Sequence, residues 1–350
     1  MRSVGLVHEP LSDRVDIIGD VHGEIDALRA LLGRLGCDAE RCTVERPIVF
    51  VGDLVDRGPD SVAVVDLVQR LVEAGVAQAV LGNHEYNILE DDQKEGNGWY
   101  LARTPADGWH DEAKRSVPFP SVAATDEQRA RIRAFLLTLP VALESKQLRV
   151  VHAAWDAAAI EAARRASNVL EFAKESWIDL EKFDLTGAPT YAELRNVNVP
   201  VPFHRELADK LAAEQNGQPI KVLTSGFELP IDATQEPKWI TGKWRLVERV
   251  AWWDQDEDPR DVVFGHYWRA RGAAKAVGKP DAFGPAAPNA WLGKAARAYC
   301  IDYSVGYRFK ERHAGHAGPS QYGLAALRWP ERTLAFDDDD ARAPTSRAAG

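Results

Sequence analysis

The sequence predicts an α/β protein with a mainly parallel or mixed sheet, and three observations predict it. Apolar, β-branched runs of strand length alternate with helical patterns. Two strand-loop-helix units stand in tandem and lead into a third strand, an order that right-handed crossovers accommodate. Several strands end in a polar residue able to bind metal, and such ends converge on one crevice at the carboxyl edge of a sheet.

The first unit is Val15-Asp-Ile-Ile18, which runs into Gly19-Asp-Val-His-Gly23. Ile25, Leu28, Leu31, Leu32 and Leu35 then recur at helical spacing, with Gly36 as the stop. The second unit is Ile48-Val-Phe-Val51, then Gly52-Asp-Leu-Val-Asp-Arg-Gly58, then a helix with Val64, Leu67, Val68 and Leu71 on one face. Asp60 and Ser61 suit its N-cap, and Pro59 its turn. Ala79-Val-Leu81 delivers Gly82-Asn-His-Glu85.

From Ile88 to about Thr125 the pattern weakens into Gly-, Pro- and Trp-rich irregular structure, and a helix is expected over 126–139. Leu148-Arg-Val-Val151 delivers His152, and Val262-Val-Phe264 delivers Gly265-His266. Between them, residues 156–255 lack this grammar and read as an inserted helical cap, with helices at 157–166 and near 170–183. Residues 298–302 and 323–328 return to the core. This divides the chain into a core of 1–155 and 256–336, an insertion of 156–255, and a tail of 337–350 whose DDDD run predicts disorder.

With 350 residues, 45% of them hydrophobic, the chain can bury a sizeable core. No apolar stretch approaches a membrane span, Glu9 and Asp13 interrupt any leader-like run, and Cys37, Cys42 and Cys300 cannot all pair. The expectation is a cytoplasmic protein with reduced thiols. A net charge of −10 argues against non-specific nucleic-acid or membrane binding, though not against an anionic substrate, since bound cations can dominate a site's charge.

The strand ends carry the chemistry. Asp20 and His22 lie two apart and can reach one metal; Asp53 can bridge it to a second, which Asn83, His152 and His266 complete. This carboxylate, imidazole and amide mixture suits two divalent ions, Mn first, with Fe or Zn also compatible. Such a pair binds a phosphoryl oxygen and acidifies a bridging water, whose hydroxide attacks phosphorus in line. His84 is placed to protonate the leaving oxygen, Asp56 to orient His84, and Arg57 to grip the equatorial oxygens.

A lone GDxHG is often an ordinary turn; five such motifs in order are not. GDVHG at 19–23, GDLVDRG at 52–58, GNHE at 82–85, VHA at 151–153 and FGH at 264–266 together resemble the calcineurin-like metallophosphoesterases, and within them the phosphoprotein phosphatases of bacterial type. The resemblance implies a four-layer α/β/β/α sandwich and the same site residues. It implies a metallophosphoesterase that hydrolyses phosphomonoesters, including phosphoserine and phosphothreonine on proteins, without a phosphoenzyme. The alternatives are anhydrides of dinucleoside polyphosphates or RNA 5′ ends, and a non-catalytic metal-binding scaffold, against which the retained His84, Arg57 and Asp53 argue. Substrates are thus a phosphorylated small molecule, nucleotide or protein.

Cys300-Ile-Asp-Tyr-Ser-Val-Gly306 is similar to a segment of bacterial diadenosine tetraphosphatases and makes Asp302 a supporting residue. His152-Ala-Ala-Trp155 departs from the usual small residues at that wall, and Arg195, Arg245 and Arg249 all remain open as a second phosphate arginine. Trp239, Trp244, Trp252 and Trp253 read as packing before a nucleobase platform. Asp254, Asp256, Glu257 and Asp258 lack calcium-loop spacing and read as a solvated turn.

Overall fold

The computed structural model describes residues 5–101, 108–110, 115–119, 121–240, 242–271 and 282–347. The first part of the chain runs β1 (Val7–His8), β2 (Val15–Ile18), α1 (Ile25–Arg34), β3 (Ile48–Phe50), α2 (Ser61–Glu73), β4 (Ala77–Ala79) and α3 (Asn83–Leu89). It continues through α4 (Gly98–Leu101), the hairpin of β5 (Gly108–His110) and β6 (Ser116–Pro118), α5 (Asp126–Leu136), β7 (Ala142–Glu144) and β8 (Leu148–Val151). Asp60 caps α2 by accepting from the Ala63 N–H, and Thr125 with Gln128 forms a capping box on α5.

The excursion holds α6 (Ala157–Arg165), α7 (Val169–Phe172), α8 (Tyr191–Leu194), α9 (Arg205–Asn216) and α10 (Pro219–Ser225). It then turns to strands: β9 (Glu228–Pro230), β10 (Lys238–Ile240), β11 (Lys243–Arg245) and β12 (Val247–Arg249). The region is therefore not purely helical as expected, and the helix foreseen near 170–183 stops after one turn. Short Lys-Trp-Ile and Lys-Trp-Arg segments pair as an antiparallel hairpin too brief to leave a periodic signal.

The chain returns through β13 (Asp261–Phe264), β14 (Ala290–Trp291), β15 (Ala298–Cys300), α11 (Arg308–His313), β16 (Ala325–Trp329), β17 (Thr333–Phe336), β18 (Asp339–Pro344) and β19 (Ser346–Arg347). The tail expected to lack structure thus continues the sheet. An edge strand needs only its backbone to pair, so an acidic, exposed segment can still serve as one. Asp337 also accepts two hydrogen bonds from Arg308, and Asp338 holds Arg271.

Two mixed sheets result. One has the order β18-β17-β16-β2-β3-β4, with β2, β3 and β4 parallel and β16 antiparallel to β2. The other has the order β1-β7-β8-β13-β15, with β8, β13 and β15 parallel. Alternation along each strand divides the core. Val15, Ile17 and Val49 from the first sheet meet Leu148, Val150 and Val263 from the second in one buried cluster. Ile18, Ile48, Phe50, Val151, Val262 and Phe264 point the other way, into a cluster shared with the helices. β13 pairs directly with β8, Asp261 opposite Leu148, so the whole excursion leaves and re-enters between neighbouring strands.

Candidate metal centre

The carboxyl ends of β2, β3 and β4 from one sheet and of β8 and β13 from the other meet in one place. Asp20, His22, Asp53, His84, His152 and His266 are all buried there. Two overlapping groups have ligand atoms close enough for a shared ion: His22, Asp53 and His84, and Asp53, His152 and His266. Asp53 is common to both; His84, expected as the acid and not as a ligand, stands in the first group, and Asp20, expected as a ligand, stands in neither. His22 Nε2 lies 4.0 Å from Asp20 Oδ2 and 3.7 Å from Asp53 Oδ2. His152 Nε2 lies 3.3 Å from Asp53 Oδ1 and 3.2 Å from Asn83 Oδ1, and His266 Nδ1 lies 2.8 Å from Asn83 Oδ1. All six expected ligands are thus brought together.

The donor set fits divalent cations in a further respect. His22 Nδ1 is engaged by the Val55 carbonyl at 3.0 Å and His152 Nδ1 by the Val51 carbonyl at 2.7 Å, which turns each Nε2 inward. Outer hydrogen bonds of this kind fix the tautomer a metal needs. Burial, then Arg57, lowers the His22 imidazole; burial, then Arg249, lowers that of His266. Both shifts favour the neutral form that can ligate. Burial would lower His152 too, but Asp53 and Asp20 carry it up to about 10. Burial and the nearby Asp302 raise Asp20, whereas the imidazoles of His152, His84 and His22 overcome burial to keep Asp53 well below the carboxylate range.

Backbone strain concentrates here. His22, Asp53, Asp56, Arg57 and His266 all adopt positive φ, from 48° to 74°. Close approach explains the glycines beside them: a Cβ on Gly52, itself at φ +98°, would meet the Gly82 nitrogen at 2.6 Å, and one on Gly265 would meet Asp20 Oδ1 at 2.1 Å.

The remaining expected residues surround the ligands. His84 Nδ1 faces Asp56 Oδ2 at 2.6 Å, while its Nε2 lies 3.8 Å from Asp53 Oδ2. Arg57 donates at 3.1 Å to the Nε2 of both His22 and His84. Asp302 is buried behind the centre, where it accepts from the Trp268 and Ser304 backbone N–H groups and steadies the turn after His266.

A family model described as calcineurin-like phosphoesterase matches residues 13–143. Residues 13–143 are thus similar to a calcineurin-like phosphoesterase domain. Proteins of this family use divalent metals, and the His and Asp groups around Asp53 are of the kind that hold them. The asymmetrical bis(5'-nucleosyl)-tetraphosphatase PrpE of Oceanobacillus iheyensis is 48% identical over 75 residues, 20% of this chain and 30% of that protein. The symmetrical bis(5'-nucleosyl)-tetraphosphatase of Ralstonia nicotianae is 46% identical over 72 residues, 21% of this chain and 23% of its own. The chain therefore spans less than a third of the curated relatives it matches. A solved structure described as a candidate diadenosine tetraphosphatase aligns over 96% of both chains at 18% identity and a TM-score of 0.42, too loose a likeness to bear on function.

Sequence reasoning gave no role to three residues that shape the centre. Glu85 accepts from the Asp53, Leu54 and Gly82 N–H groups and so ties two strand ends together; burial and Asp53 push it up to about 7. Trp99 Nε1 donates to Asp56 Oδ1 at 2.6 Å. Tyr307 underlies Arg57, ring centroid to guanidinium 5.5 Å. Glu85 could have been found from its N3 position in GNHE, a capping-box place. Of the three arginines left open, Arg249 is the one beside the ligands, donating to the His266 carbonyl at 2.8 Å, whereas Arg195 is exposed.

Proposed function

We propose that the chain is a metal-dependent phosphohydrolase acting on phosphoric esters or anhydrides. The observation that carries this reading is the meeting of two groups of metal-capable side chains on Asp53, with His84, a member of the first, held at Nδ1 by Asp56 and aimed at Nε2 toward Asp53 and Arg57. Asp20, His22, Asp53, Asn83, His152 and His266 hold two divalent cations, Mn by preference. When bound, these supply the Lewis acidity that polarises a phosphoryl oxygen and acidifies water. Arg57 grips the equatorial phosphoryl oxygens, leaving the His22 and His84 nitrogens it now faces. In its imidazolium form His84 gives the Nε2 proton to the leaving oxygen, while Asp56, at Nδ1, orients the ring and balances its positive charge.

The layers fit a four-layer α/β/β/α sandwich, with 1–155 and 256–336 as core and 156–255 as a cap over the mouth. Phosphomonoesters are the first substrate reading. Dinucleoside polyphosphate anhydrides are the second, favoured by the names of the tetraphosphatases that share the matched segment.

The test is turnover of p-nitrophenyl phosphate, a phosphoserine peptide and diadenosine tetraphosphate by the Mn-loaded chain. His84→Asn is expected to lower kcat roughly 10²- to 10⁴-fold with metal content retained, and Asp53→Asn to lose both metal and turnover. Unchanged turnover in either variant overturns the reading.

A further inference from the structure

The mouth of the centre is overhung by side chains from the excursion whose charge runs opposite to that of the chain as a whole. The β10–β11 hairpin carries Trp239, Lys243, Trp244 and Arg245. Its turn reaches the loop that backs Arg57: a Cβ on Gly242 would lie 3.9 Å from Glu95, and the next residue, Gly96, accepts from the Arg57 N–H. One strand further, Arg249 lies with its guanidinium 4.2 Å from the Trp268 ring and donates to His266.

These cations form a continuous arc. Arg249 and Arg245 repel one another, and Tyr307, which underlies Arg57, faces both. Arg245 presses on Lys243 in turn, and with burial, Lys94 and Arg195 it drives that ammonium down to about 7 against the pull of Glu228. Two carboxylates act on Arg245: Glu228, 3.8 Å away, and Glu95, leaving two acids against the three cations of the row. Like charges held together in a chain of net charge −10 form a site that an extended polyanion relieves.

The arc ends in aromatics. Trp239 meets Trp244 edge-on at 5.6 Å and His110 at 5.7 Å, and all three are half-buried. The Trp244 indole is fixed by a hydrogen bond to the Asn196 carbonyl. Trp252 and Trp253, by contrast, are buried in the main core.

We propose that Lys243 and Arg245 form a site for the phosphate chain extending away from the reacting phosphoryl, with Trp239 as platform for the base beyond it. The substrate class is then a nucleoside polyphosphate or a polyphosphate-linked dinucleotide, and the excursion selects it. The assignment rests on the phosphohydrolase reading for its orientation, yet binding alone can test it.

The experiment is calorimetric titration of the 350-residue chain, stripped of metal to prevent turnover, with inorganic tripolyphosphate, orthophosphate and diadenosine tetraphosphate. The wild-type chain is expected to bind tripolyphosphate at least about tenfold tighter than orthophosphate, and Lys243→Met with Arg245→Met to remove that advantage. Trp239→Ala is expected to weaken the dinucleotide by roughly tenfold and tripolyphosphate by less. Thermal melting establishes that each variant is folded. Equal affinity of the wild-type chain for both inorganic anions, or an undiminished preference in the double variant, overturns the phosphate-chain site; an equal effect of Trp239→Ala on both ligands overturns the platform. Lost tripolyphosphate preference in the double variant of a chain that hydrolyses neither substrate would uphold this site and end the hydrolase reading.

Discussion

Asp56 is fully buried, and each of its carboxylate oxygens is taken at 2.6 Å, one by His84 Nδ1 and the other by the Trp99 indole N–H. A carboxylate only accepts, so the proton between it and His84 sits on Nδ1 and the ring is fixed by two bonds meeting on one anion. Trp99→Phe keeps an aromatic ring in the core and leaves one oxygen of a buried charge without a donor, at a cost of about 1–3 kcal/mol. Because Asp56 acts only through His84, the expected result is a fall in kcat of roughly tenfold or more at unchanged KM and metal content. Unaltered kcat would make Trp99 a packing residue. The motif Gly52-Asp-Leu-Val-Asp-Arg-Gly58 makes Asp56 and Arg57 visible in the sequence, but Trp99 lies 43 residues from Asp56, in the stretch where periodicity fails. The positive φ angles of His22, Asp53 and Asp56 were likewise hidden, since only their neighbouring glycines mark a tight path.

Legibility at the scale of elements followed how local each determinant is. α1 and α2 declare themselves by spacing and caps, and the strand-to-ligand runs by contiguity. β10, β11 and β18 do not, because short edge strands depend on distant partners and carry polar side chains that read as loop or tail. Glu85 lies between these cases. Its carboxylate, in the first turn of α3, takes three backbone N–H groups from the ends of β3 and β4 and so fixes where Asp53 and Asn83 begin. Glu85→Gln preserves shape but turns an amide donor toward backbone donors. Above the value of about 7 to which burial and Asp53 push it, Glu85 is a charged acceptor. Bonds to such an acceptor contribute about 1.5–3 kcal/mol, and a loss of that order in urea unfolding at about pH 8 is expected, together with weaker metal binding because Asp53 is less well held. Stability and metal affinity equal to wild type would show that the α3 N-terminus holds its place without the carboxylate.

No helix among the described residues is long and apolar enough to cross a membrane, and the molecule's order comes instead from two sheets packed face to face. The proposed ligands divide between those sheets: Asp20, His22, Asp53 and Asn83 follow strands of one, His152 and His266 strands of the other. A cation bound among them therefore links the sheets across their shared core, while Val51, Val55 and Glu85 orient the ligands without it. Two consequences can be separated. Chelator-treated protein should keep a single cooperative thermal transition, because the scaffold does not depend on the ion. Mn²⁺ at about one hundred times its dissociation constant should then stabilise the native state by about 2.7 kcal/mol and raise Tm by a few degrees. Asp53→Asn, which removes the side chain common to both groups, should abolish that rise. Mn-dependent stabilisation that survives in Asp53→Asn would place the ion elsewhere, and unfolding on chelation would make the metal a structural one whose loss the packed sheets cannot withstand.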